Sequence, residues 1–129
     1  MKITKFEDLN IWITGLKITK LIYDVTAKGS FSKDFDLRSQ IRRAIISVSS
    51  NIVEGFEKRN NNEFVRFLRI AKGSTGEARN QLHVARVVGH ISESDFALIN
   101  GELEALSSQL GAFISYLTKK RLNKEFINK

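Results

Sequence analysis

The 129-residue chain has no cysteine and no proline, and only one methionine and one tryptophan. Without cysteine, disulfides, thiolate metal sites and cysteine nucleophiles are excluded. Without proline, a turn-rich β-sandwich or barrel is disfavoured, because such folds normally place several prolines at turns and edges. No apolar run approaches the roughly 18–20 residues that span a bilayer. The opening Met1-Lys2-Ile3-Thr4-Lys5 leads into a mixed segment rather than an apolar signal core. The expected location is cytoplasmic, away from membrane. Acid is also scarce: 14 Asp and Glu against 21 Lys and Arg leave a net charge of +7. Such an excess favours polyanionic partners.

What is present is helical periodicity over four segments, at 5–28, 36–59, 61–88 and 93–120, followed by a basic tail at 121–129 that is expected to fray. Thr4-Lys5-Phe6-Glu7 has capping-box form and should open the first helix. This helix carries two apolar stripes. Leu9, Trp12, Ile13, Leu16 and Tyr23 fall on one face, and Ile11, Ile18, Leu21, Ile22 and Val25 on nearly the opposite one. A simple surface helix has one stripe, so burial on both sides is expected. Helix 2 has a core stripe of Leu37, Ile41, Ala44, Ile45, Val48, Ile52 and Phe56, with Ile46 and Val53 pointing elsewhere. Asn60-Asn61-Asn62-Glu63 supplies the next N-cap. In helix 3 the core face runs from Phe64 to Ala85, and Gly89 closes the helix. Ser92-Glu93-Ser94-Asp95 starts helix 4, with a stripe of Phe96, Ile99, Leu103, Leu106, Leu110, Phe113 and Leu117. Ala97, Gly101, Ala105, Ser108 and Ala112 form a small-residue line on its far side. Gly73 and Gly76, which lack the order of a phosphate loop, are expected at close helix contacts.

Four long helices with short connections predict an all-α, antiparallel up-down-up-down four-helix bundle in one domain, 1–129. The surplus apolar and small positions exceed what one bundle buries and predict a homo-oligomer. Its candidate interface residues are Ile11, Ile18, Ile22, Ile46, Val53, Ala97, Gly101, Ala105 and Ala112.

Little of the sequence carries chemistry. His83 and His90 lie two turns apart, about 10 Å along a helix, too far for joint ligation, and both read as exposed. Glu54 and Glu77 are the carboxylates that could be buried and paired. The stronger expectation for them is a structural polar ladder of Arg43, Ser47, Asn51, Glu54, Ser74 and Glu77 that sets helix register. No catalytic residue, cofactor, metal site or small-molecule substrate is indicated. The clearest functional signal is a basic set: Arg69, Lys72, Arg79 and Arg86 along helix 3 with no acid between them on that face, and Arg38, Arg42 and Arg66 nearby. Long cationic side chains of this kind reach phosphates and bind with steep salt dependence.

The residues also resemble a known family, the four-helix-bundle proteins encoded by intervening sequences in bacterial 23S rRNA genes. The likeness opens at Phe6-Glu7-Asp8-Leu9 with Trp12 and continues through Gln40-Ile41-Arg42-Arg43-Ala44 and Ser47. It is closest at Asn51-Ile52-Val53-Glu54-Gly55-Phe56, similar to the family's N-I-A-E-G-F signature. It resumes at Glu63-Phe64, Phe67-Leu68, Ile70-Ala71, Gly73-Ser74, Glu77 and Leu82. Two positions depart: Ser49 stands where the family usually has proline, and Val53 replaces the usual alanine. The resemblance implies a left-handed bundle that assembles as a ring, with pentamers in the family, and a biochemical role that is poorly defined. Two functions follow as expectations. One is a non-catalytic homo-oligomer that binds RNA or DNA through its basic faces. The other is a protein-interaction scaffold whose charge serves solubility or an acidic partner.

Overall fold

The computed structural model describes residues 3–122, with side chains as far as Lys119, so most of the basic tail lies outside the described residues. Four α-helices run at Asn10–Thr26 (α1), Phe35–Glu57 (α2), Asn61–Val87 (α3) and Glu93–Leu122 (α4). Short 3-10 turns occupy Phe6–Asp8 and Gly29–Lys33, and there is no strand among the described residues. No described helix is long and apolar enough to cross a membrane.

The start of α1 differs from the capping-box expectation. Lys5 precedes the first 3-10 turn with no side-chain cap, and Leu9 is extended before α1 begins. The reason is burial. In an unbroken helix Leu9 would sit about 200° around from Ile11, on the opposite face. Stopping the helix at Leu9 lets both side chains enter the core. The Thr4 carbonyl instead accepts a 3.0 Å hydrogen bond from Arg59.

The other termini follow local chemistry. Asp34 caps α2 by accepting from the Leu37 N–H at 3.2 Å, and Asn60 caps α3 through the Glu63 N–H at 3.0 Å. Ser92 accepts from the Asp95 N–H at 3.1 Å. The end of α3 is a Schellman motif around Gly89, φ +81°, with His90 N–H to Ala85 O at 2.8 Å and Gly89 N–H to Arg86 O at 3.2 Å. Arg59 turns the corner between α2 and α3 at φ +54°, a left-handed conformation that is uncommon for a residue with a side chain.

Cross-helix contacts give the topology. Tyr23 meets Arg42 while Gly15 faces Ser49, so α1 and α2 run in opposite directions. Ser47 meets Ser74 while Gly55 lies against Phe64 and Phe67, which sets α3 antiparallel to α2. Arg86 reaches Glu93 and Arg79 reaches Glu104, which does the same for α3 and α4. Lys17 to Glu102, 3.6 Å, closes α1 onto α4. The core between the helices holds Ile18, Ile22, Ile41, Ile45, Ile52, Phe56, Phe64, Leu68, Leu82, Leu103 and Leu106, all fully buried.

The stripe of α1 that enters this core is Ile11, Ile18, Ile22 and Val25. These three isoleucines were expected at an interface between copies; they are instead interior residues of one chain, with Ile18 and Ile22 at 0% exposure. The other stripe is the open one: Ile13, Leu16 and Tyr23 are exposed and Trp12 is half-buried. Two glycine expectations are also corrected. An added Cβ on Gly73 or Gly76 would meet nothing within 4 Å, so neither marks close packing within the chain. The tight glycine is Gly55, whose Cβ would stand 2.7 Å from Phe67 Cβ.

Candidate nucleic-acid interface

The basic residues of α3 do lie on exposed turns, but the fold brings acids to several of them. Arg86 makes a two-pronged pair with Glu93, at 3.0 and 2.8 Å. Arg79 reaches Asn100 at 3.3 Å and Glu104 at 3.5 Å. Helix 3 shows no acid on this face, and α4 supplies them because the two helices are antiparallel neighbours. Arg66 pairs with Glu63 one turn earlier, at 3.1 and 3.2 Å. That contact holds the Glu63 carboxyl below its ordinary value and raises Arg66 further.

Arg38 and Arg42 are held by their own end of the bundle. Arg38 donates to the Ser32 carbonyl at 2.6 Å and lies over the Phe35 ring. Arg42 donates to Thr26 Oγ1 at 2.9 Å and lies over Tyr23. Both therefore serve to lock the connection between α1 and α2. Arg69 and Lys72 differ: both are exposed and have no ion pair among the described residues. They occupy the half of α3 beside the later turns of α4, where Lys72 lies along Gly111.

The proposed polar ladder is shorter than expected. Ser47 and Ser74 hydroxyls meet at 3.0 Å, and Asn51 donates to Ser47 O at 2.8 Å and Ser47 Oγ at 3.0 Å. Arg43 instead donates to Ser39 at 2.9 Å. Glu54 and Glu77 are exposed on different parts of the surface, neither buried nor paired with each other. Glu54 lines a recess with Trp12, Ser49, Ser50 and Val53. Glu77 lines a cleft of about 290 Å³ between α2 and α3, together with Gln40, Arg43, Ala44, Ser47 and Gln81. Gln81 is only 8% exposed, and its Oε1 accepts no hydrogen bond among the described residues. A buried acceptor left unsatisfied costs about 1–3 kcal/mol.

Of the remaining interface candidates, Ile46 is 42% exposed and Val53 half-buried on the flank of α2 that faces α1. Ala97, Gly101, Ala105 and Ala112 are exposed on α4, and an added Cβ on Gly101 would meet nothing within 4 Å.

His90, expected to be exposed, is largely buried at the end of the bundle. Its ring stacks on buried Phe31, its Nδ1 lies 2.8 Å from Ser30 Oγ, and its Nε2 lies 3.0 Å from Asp34 Oδ2. Asp34 is simultaneously the α2 cap. Its carboxyl is held below its ordinary value first by the Leu37 N–H and then by His90. The signal in sequence was local: His90 follows the helix-ending Gly89, so it belongs to a connection rather than a helix face. His83 remains exposed, edge-on to Phe96 at 4.9 Å. No group of three or more His, Cys, Asp or Glu side chains among the described residues could hold a metal ion.

The family model described as 23S rRNA-intervening sequence protein matches residues 7–112. Among solved structures, the chain is similar to a protein of unknown function from the S23 ribosomal protein family of Bacteroides thetaiotaomicron, known from a 1.70 Å crystal structure. The TM-score is 0.73 and the identity 21%, over 81% of this chain and 97% of that one. At that identity the likeness speaks to the fold alone. No curated protein matches.

Proposed function

The chain belongs to the 23S rRNA-intervening sequence protein family, and from that membership we propose a non-catalytic, homo-oligomeric bundle in the cytoplasm that binds nucleic acid electrostatically. The observation that carries this reading is where the charge excess sits. Residues 119–129 hold five basic residues and one acid, which is +4 of the total +7. On α3, beside the later turns of α4, Arg69 and Lys72 stand without acidic partners among the described residues. The stripe read from helix 3 thus narrows to Arg69 and Lys72, with the tail as its main ally.

Self-association is supported by the open stripe of α1. Leu16, Tyr23 and, on α2, Ile46 are all exposed apolar side chains, and soluble monomers rarely leave large apolar patches open. Copies joined in a ring, a pentamer by the resemblance above, would multiply the number of basic residues available to one ligand.

Light scattering with and without RNA, combined with affinity measured across a salt series, tests the reading. The log affinity should fall, for each tenfold rise in salt, by ~0.7 per strand phosphate neutralised. Replacing Arg69, Lys72, Lys119, Lys120 and Arg121 with glutamine should abolish binding and leave the assembly intact. Salt-insensitive binding, or binding that survives those changes, would overturn it. One observation favours the second reading, a scaffold for a protein partner: Arg66, Arg79 and Arg86 are already occupied by acids. A stoichiometric protein partner with no RNA affinity at low salt would select it.

A further inference from the structure

The cleft between α2 and α3 is built unlike the rest of the surface. Arg43 stands on the α2 wall and Glu77 on the α3 wall, and the two form no ion pair. Two carboxamides, Gln40 and Gln81, line the same cleft, with Ala44 and Ser47 completing it. Gln81 is more than nine-tenths buried, with a carboxamide oxygen that no described donor satisfies. The cleft therefore holds a guanidinium donor, a carboxylate acceptor and an amide whose hydrogen bonding is incomplete.

These groups restrict the ligand. A bare phosphate would meet the Glu77 carboxylate, and a bare cation would meet the Arg43 guanidinium. The two opposite charges leave the cleft with no net charge, so a neutral group with donors on one edge and acceptors on another suits it best. A zwitterion would match the charges but must strip water from two ions at once in a site open on one side. Guanine has the neutral pattern. Its N1–H and N2–H₂ are donors that a carboxylate accepts, and its O6 and N7 are acceptors that arginine binds in bidentate fashion. Bases splayed out of a single strand are the usual targets of sequence-specific RNA recognition.

We propose that the cleft lined by Gln40, Arg43, Glu77 and Gln81 receives one unstacked guanine of a bound RNA strand. The proposal rests on the nucleic-acid reading above and adds base preference to it. Glu77 takes the Watson–Crick donors, Arg43 the O6 and N7 acceptors, and rotation of the Gln81 carboxamide brings its oxygen to a remaining N–H.

The test uses the full chain and two probes. An all-uridine RNA oligomer is compared with the same oligomer carrying one guanine, and free guanosine is titrated while the side-chain amide resonances of Gln40 and Gln81 are followed by NMR. The guanine oligomer should bind about tenfold more tightly. E77Q should erase that preference, so that the two oligomers bind alike, and should keep the parent's helical circular dichroism, since Glu77 is exposed. Guanosine should shift both amides, and adenosine and free glutamine should not. Equal shifts with every nucleoside, a response to glutamine instead, or a preference that persists in E77Q would overturn the proposal. If neither oligomer binds but guanosine still shifts the amides, the nucleic-acid reading fails and the cleft assignment stands. If both oligomers bind equally, the reverse holds.

Discussion

His90 and Asp34, 56 positions apart in the chain, meet at 3.0 Å and join the α1–α2 connection to the α3–α4 connection at one end of the bundle. The contact forms because the Schellman turn at Gly89 drops His90 onto buried Phe31, beside the residue that caps α2.

A pH dependence follows from this contact. The Asp34 carboxyl lies below its ordinary value of 3.8, with the Leu37 N–H as first cause and His90 as second. A carboxylate lowered in the folded state stabilises it at pH above the unfolded value, and the contribution vanishes as pH falls through the folded one. Asp34→Asn should therefore lower the melting temperature at neutral pH and flatten its decline in acid. Thermal melts followed by circular dichroism from neutral pH down to about pH 2 check this. Parallel curves for the two proteins would refute it.

Glycine substitutions should split by position. Gly55→Ala places a Cβ 2.7 Å from Phe67 Cβ and 3.4 Å from the Phe64 backbone, where little can yield. A loss of about 1–3 kcal/mol in urea unfolding is expected for such overpacking. Gly15→Ala meets only ordinary contacts at 4.0 Å from Val48 and Ser49. Because mid-helix glycine is unfavourable by up to ~1 kcal/mol against alanine, that variant should be more stable.

The apolar flank distinguishes core from interface. Leu16→Glu and Ile46→Glu should shift the protein to smaller species in light scattering and leave its helical circular dichroism unchanged. Ile18→Glu, placed at a 0% exposed position, should unfold the chain instead. An assembly indifferent to both flank variants would remove α1 and α2 from the interface.

Acidic residues on α4 should restrain the arginines opposite them. Glu93→Gln and Glu104→Gln release Arg86 and Arg79 from their ion pairs. Exposed pairs of this kind contribute at most about 1 kcal/mol, so stability should scarcely change. RNA affinity at low salt should rise, and the salt slope should steepen by ~0.7 for each arginine that gains a phosphate. Unchanged binding would place the nucleic acid elsewhere on the surface.

The helices themselves were legible. Apolar spacing located α2, α3 and α4 to within two residues, and Asn60, Ser92 and Gly89 act where their types predict. Helix 1 was harder because both its faces are apolar, so spacing alone could not say which one turns inward. Its first turn was misread for a related reason: burying Leu9 outweighs continuing the helix from Thr4. The candidate site was legible only as a list of charges. Helix 3 by itself shows its arginines in a row without acids, and nothing local announces that Glu93 and Glu104 will stand opposite them.

By itself the sequence determined the helical class, the ends of α2, α3 and α4 to within two residues, and the excess of positive charge, because periodicity, capping and composition act within a few residues. Tertiary structure decided which face of α1 is interior, which arginines remain unpaired, and that Arg43, Glu77 and Gln81 border one cleft. Those outcomes depend on side chains from different helices meeting across the bundle, and each helix's own spacing carries no information about its neighbour's register.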